Sequence, residues 1–201
     1  MTSTRRYLCR GALLLAAAAL GACASSAPMV RYYTLQAPAP AAGADAGLLI
    51  QVLPIQVPAQ VDVPELVIRQ GAGQLARVES EQWIAPLPTE VRGALSLHLQ
   101  RKLGARDVQG LPLGDTAKVH RVRVAITRFD AYLGHRVDLD ATWTLSASGE
   151  AVSLTCSSRV RESVQAGYPA LVAGYQRALA LVGDDIAAAV SGSPSRCPAS
   201  R

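Results

Sequence analysis

The chain has 201 residues, half of them hydrophobic and 17% charged, with a formal net charge of +5. Three of those positive charges are Arg5, Arg6 and Arg10, so the rest of the chain carries only +2, which excludes the dense basic face that nucleic-acid binding requires. Aromatic residues make up 4% of the sequence, and composition alone points to no ligand class.

The three arginines precede an uncharged apolar run from Gly11 to Leu20, the pattern of a signal-peptide n-region and h-region. The run falls well short of the roughly 20 apolar residues a helix needs to cross a bilayer. Leu20-Gly21-Ala22-Cys23 follows and resembles the lipobox read by lipoprotein signal peptidase. Residues 1–22 are thus expected to be removed, leaving Cys23 as the first residue, with diacylglycerol on its thiol and a further acyl chain on its nitrogen. At about 0.8 kcal/mol per buried methylene, several acyl chains hold a protein on a membrane in a way that a single chain does not. Ala24 stands where an inner-membrane retention signal places Asp, so the expected location is the periplasmic face of the outer membrane.

Residues 23–30 read as a lipidated tether, residues 31–191 as one folded domain of ordinary size, and residues 192–201 as a tail. Arg31 to Leu35 suits a strand. Ala37 to Ala46 is a loop rich in Pro, Ala and Gly. Leu48 to Val57 reads as a strand broken by Pro54, with Pro58 and Pro64 suggesting an edge or loop course up to Leu66. Two runs, Leu66 to Gln70 and Leu75 to Glu79, flank Gly71-Ala72-Gly73 as a hairpin. Pro88-Thr89-Glu90 opens a helix with Thr89 as candidate cap; Val91, Leu95, Leu99 and Leu103 form its core face and Gly104 its stop. Arg92, Arg101 and Lys102 read as a solvated opposite face.

From Lys118 to Glu162 the hydrophobic period becomes two, which predicts three antiparallel strands with turns at Gly134 and Gly149 and a buried phase through Val137, Leu139, Ala141, Trp143, Leu145, Val152, Leu154 and Cys156. This meander is expected at the centre of the sheet. Tyr168 to Ser191 carries Leu171, Tyr175, Ala178, Leu179, Val182, Ile186 and Val190 at helical spacing. The predicted class is α+β: a mixed, mainly antiparallel sheet with a C-terminal strand meander, packed against two amphipathic helices. With Cys9 lost in the signal and Cys23 acylated, Cys156 and Cys197 remain as an even pair in an oxidising compartment and are a candidate disulfide. A buried Cys156 and a free Cys197 thiol are the alternative.

Residues that would carry chemistry are scattered. His98, His120 and His135 fall on separate elements without metal-ligand spacing. No Gly-x-Ser-x-Gly elbow occurs, and Asp138 and Asp140 sit on the outward phase of a strand as a solvated pair. The expectation is a protein with no catalytic residues, no metal and no cofactor, built for binding or assembly.

Several segments occur in a telling order: Tyr32-Tyr33-Thr34-Leu35 after the lipobox, Ile55 to Arg69, Trp83-Ile84-Ala85-Pro86-Leu87 before a helix, Arg128-Phe129-Asp130-Ala131, Val137 to Leu145, and Tyr168-Pro169-Ala170-Leu171-Val172. In this order they resemble the PqiC/YmbA family of ABC-type transport auxiliary lipoproteins from Tyr32 to Val190. The chain departs from that pattern at Pro64 to Arg69, ahead of the hairpin. The resemblance implies a periplasmic accessory subunit working with an MCE-domain protein and an ABC permease or a paraquat-inducible-type inner-membrane protein. Such systems move phospholipid between membranes, and the subunit would dock and anchor, self-associating into a ring. Trp83, Pro86 and Leu87 are candidate docking residues, because loops display partner contacts and Trp is a frequent hot spot. A Trp83 that fills the core is the other reading. A structural or regulatory lipoprotein contacting a cell-wall or envelope complex is the competing class.

Overall fold

A computed structural model describes residues 29–38, 46–114, 117–148, 153–192 and 197–198. The signal segment, Cys23, Gly149 and Val152 lie outside the described residues, as do residues 39–45 of the Ala37 to Ala46 loop. The elements in chain order are β1 (Arg31–Tyr33), β2 (Leu48–Val52), a 3-10 turn (Ala59–Val61), β3 (Glu65–Arg69), β4 (Leu75–Trp83), α1 (Leu87–Leu103), β5 (Ala105–Asp107), β6 (Val119–Tyr132), β7 (Arg136–Ala147), β8 (Ser153–Ser163) and α2 (Tyr168–Ser191). The class is α+β, but the strands form two sheets, ordered β1-β4-β3 and β5-β2-β6-β7-β8. β1 pairs parallel with β4, and β2 parallel with both β5 and β6. The remaining pairs are antiparallel.

The long meander has the period its sequence dictates, with one correction of phase. Val122, Val124 and Ile126 point into the core, and then the register slips by one residue between Ile126 and Arg128. The extra residue, Thr127, is a β-bulge; beyond it the odd positions Phe129 and Ala131 face inward and Arg128 and Asp130 turn outward. The turn to β7 uses Gly134 at φ +73°, with the His135 N–H donating to the Tyr132 carbonyl at 2.9 Å. The meander does not occupy the sheet's centre. β8 is an edge and β6 the middle strand, because the short β2 and β5 extend the sheet on the other side. β2 is therefore internal, and the expected strand through Val57 ends at Val52.

Both helices pack on one face of the larger sheet and on each other, α1 over β2 and β5, α2 over β7 and β8. Pro86, not Thr89, caps α1: Thr89 and Glu90 donate their N–H groups to the Pro86 carbonyl, and Pro88 sits in the first turn, where a missing N–H costs nothing. Gly104 closes the helix in the left-handed region at φ 59°. α2 approaches the sheet so closely that a Cβ on Gly174 would lie 2.3 Å from Val164 Cγ1. Arg92 is not part of a solvated face. It binds the Val52 carbonyl at 3.0 Å and Asp107 Oδ2 at 2.7 Å, joining α1 to β2 and β5. One apolar core draws residues from both sheets and both helices.

Candidate docking surface

The amino-terminal segment is fastened to the rest of the fold by two buried carboxylates. Glu81 on β4 is fully buried and accepts hydrogen bonds from Arg31 Nε at 3.0 Å, from the Arg31 Nη2 group, and from the Tyr33 hydroxyl at 2.6 Å. The Arg31 hydrogen bond holds the Glu81 carboxyl below its ordinary pKa, against the opposing effect of burial. Glu90 in the first turn of α1 accepts from Thr34 Oγ1 and from the Leu35 N–H, both at 2.7 Å. Gln176 on α2 reaches the Thr34 carbonyl at 3.1 Å. Tyr33, Thr34 and Leu35 thereby meet β4, α1 and α2 at once.

Of the three candidate docking residues, two belong to the core. Trp83 is 5% exposed and Leu87 1%. The Trp83 ring meets Phe129 and Tyr175 edge-on, each at 6.4 Å, while Phe129 and Tyr175 stack at 3.9 Å. Burial pushes the Tyr175 hydroxyl pKa well up, so the ring stays neutral. Strand alternation explains the split: with Trp83 inward, the next residue turns outward, and Ile84 is 61% exposed. Pro86 is also exposed. Beside them lies a shallow cavity of 320 Å³ lined by Asp62, Val63, Pro64 and the run from Trp83 to Pro86. Pro64, the first residue of the Pro64 to Arg69 departure, stands on one wall; the register shifts between Glu65 and Leu66, and the Pro64 carbonyl accepts from the Trp83 N–H at 2.8 Å.

Asp138 is not solvated. It is 2% exposed, directly opposite Asp130 in the β6–β7 register, a like-charge pairing that four arginines compensate. Arg128 Nη2 lies 2.8 Å from Asp138, Arg161 Nε 3.0 Å and Arg136 Nε 3.1 Å, while Arg69 and Arg128 each reach Asp130 at 2.7 Å. Burial raises the Asp130 pKa, but the hydrogen bonds from Arg69 and Arg128 outweigh it and the net direction is down. Sequence alternation placed Asp138 outward correctly and missed that long arginines on both neighbouring strands would cover it. The cluster borders an open groove of about 540 Å³ lined by Arg128, Asp138, Asp140, Arg159 and Arg161, and its ion pairs join the bulged β6 segment to β3, β7 and β8.

Cys156 and Cys197 are joined by a disulfide that pins the tail to β8. His98 bonds Asp184 at 3.0 Å, as does Lys102, tying α1 to α2. Among the described residues, His120 and His135 join no group of three or more metal-binding side chains. No helix among the described residues is long and apolar enough to cross a membrane.

The fold thus defines a two-sheet α+β scaffold held by buried ion pairs, with an exposed apolar patch around Ile84 and Pro86 on its surface. The model of the ABC-type transport auxiliary lipoprotein component family matches residues 33–187, and the chain belongs to that family. A crystal structure of an uncharacterized protein superposes with a TM-score of 0.64 at 20% identity, covering 81% of this chain and 99% of that one. A Xanthomonas campestris protein assigned to DUF330 gives 0.57 at 15% identity, covering 83% and 94%. These likenesses concern the fold alone. A search of curated proteins finds no match.

Proposed function

We propose that this chain is the outer-membrane-anchored periplasmic subunit of an MCE-type phospholipid transport system, acting by docking and anchoring and not by catalysis. The observation that carries the reading is the family match over residues 33–187, which makes the chain an auxiliary lipoprotein component of ABC-type transport. The lipobox ending in Cys23 supplies the anchor, and Ala24 favours the outer membrane. Lipid transfer needs a continuous apolar path and fixed ends, with no nucleophile or metal. The partners in this reading are an MCE-domain protein and an inner-membrane permease or paraquat-inducible-type membrane protein, with the lipoprotein self-associating into a ring.

The test is a crosslinked pull-down of the full-length lipoprotein from cell envelopes, with Cys23→Ser as the unanchored control and bound phospholipid measured in the same eluate. Recovery of an MCE-domain protein, reduced in the control, is the expected result. Recovery of cell-wall enzymes alone overturns the transport reading in favour of an envelope-regulating lipoprotein.

A further inference from the structure

We infer that the end of the domain bearing Tyr32, Ile84 and Pro86 rests on the lipid bilayer that holds the anchor, its apolar side chains entering the headgroup region. The inference builds on acylation of Cys23.

Tether length sets the geometry. Seven residues, or eight Cα–Cα steps, separate Cys23 from Arg31, a reach of at most about 28 Å at full extension. A domain of this size is roughly 40 Å across. β1 therefore cannot lie on the side of the domain remote from the membrane, and the surface around β1 is within reach of lipid. That surface carries a concentration of apolar side chains beside the exposed Arg31: Met29, Ile84 and Tyr32, at 86, 61 and 58% exposure, are three of the four most exposed large hydrophobic side chains among the described residues. Tyr32 and Ile84 are also held together. Tyr32 stands opposite Gln82 in the β1–β4 ladder, and the ladder continues as the Ile84 N–H donates to the Tyr33 carbonyl at 2.8 Å. Strand alternation then sets Tyr32, Gln82 and Ile84 on one side. Pro86 and the rim residues Val63 and Pro64 extend the patch, with the Asp62 carboxylate at its edge. A tyrosine with an apolar ring and a polar tip suits the membrane–water boundary. The sheet carrying the patch is fixed to the core through Glu81 and Trp83, so the contact sets an orientation of the whole domain and does more than tether it.

Hydroxyl-radical footprinting tests the surface. The lipidated chain is reconstituted in phosphatidylethanolamine–phosphatidylglycerol vesicles and compared with the Cys23→Ser chain at equal concentration without vesicles. Oxidation of Tyr32, Ile84 and Pro86 should fall severalfold in the vesicles while Leu111 and Leu133, exposed on other loops, react unchanged. Ile84→Glu, a change at a solvent-facing position, should restore Tyr32 reactivity in the anchored chain. Equal oxidation of Tyr32 and Ile84 in both samples, or equal protection of Leu111 and Leu133, overturns the inference. The mass of the amino-terminal peptide from the same vesicles separates the two readings. An unacylated Cys23 removes the anchor and this surface together, whereas an acylated chain with an unprotected patch leaves the anchor standing and overturns the surface alone. With no other protein present, protection cannot come from a transport partner; a patch protected only once an MCE protein is added also overturns the inference.

Discussion

Removal of the Cys156–Cys197 bond should cost the protein about a third or more of a typical domain's stability. The bond closes a 41-residue segment that contains the second half of β8 and all of α2, the helix that supplies Leu171, Tyr175, Leu179, Val182 and Ile186 to the core. In the chain-entropy account, a loop of that length restricts the unfolded ensemble by about 4 kcal/mol, against a total of roughly 5–15 kcal/mol for ordinary domains. For a protein of this length, that corresponds to a fall in Tm of roughly 8–16 °C. Urea unfolding followed by far-ultraviolet circular dichroism measures it, with the unaltered chain compared with and without reductant, and with the Cys156→Ala/Cys197→Ala variant. The reductant breaks the bond without deleting core atoms, so the double variant, which also removes the buried Cys156 sulfur, should lose at least as much. A difference below about 1 kcal/mol between oxidised and reduced chain would refute the reasoning, because it would mean that the β8–α2 segment is already as constrained when unfolded as the bond makes it.

Two further perturbations probe the clamps. The Asp130 carboxyl titrates below its ordinary range in the folded protein because Arg69 and Arg128 outweigh the effect of burial. Its contribution is therefore complete above the unfolded-state pKa near 4 and is lost as pH falls through the lower folded value. Urea midpoints should be level above about pH 5 and decline below it, and Asp130→Asn should cost about 1–2 kcal/mol at pH 7 while flattening that decline. Glu90→Ala leaves the buried Leu35 N–H without its acceptor, a loss of about 1–3 kcal/mol. Amide hydrogen exchange at Leu35 should accelerate, with the α2 amides remaining protected.

The elements legible in the sequence were those long enough for periodicity to outvote noise. α2 runs over the residues its spacing predicts, Tyr168–Ser191, and the three meander strands alternate as expected on each side of the bulge. The two-sheet arrangement was not legible, because β1 and β5 are three residues long and their parallel pairing depends on partners distant in sequence. β5 followed Gly104 too briefly to show any period at all. Thr89 has the side chain of a cap, but Pro86 and Pro88 fix the backbone three residues earlier and set the helix start themselves. Trp83 could be read as a surface anchor or a core plug, and only the aromatic partners Phe129 and Tyr175, 46 and 92 positions away, decide for the core. The signal for the exposed surface was present one residue later, in Ile84, an apolar side chain on the opposite phase just past the end of β4.

The pairing of β1 has a mechanical meaning. With an anchor on Cys23, every thermal excursion of the domain away from the membrane is felt at Arg31, as tension along the strand. β1 lies alongside β4, so that tension loads the cross-strand hydrogen bonds in shear, all together, instead of peeling them apart one by one. The Arg31–Glu81 pair takes the first share, and the Thr34 and Leu35 bonds to Glu90 stand behind it. The segment works as strain relief on a cable: a pull on the lipid is shared over five residues, from Arg31 to Leu35, before it reaches the rest of the chain.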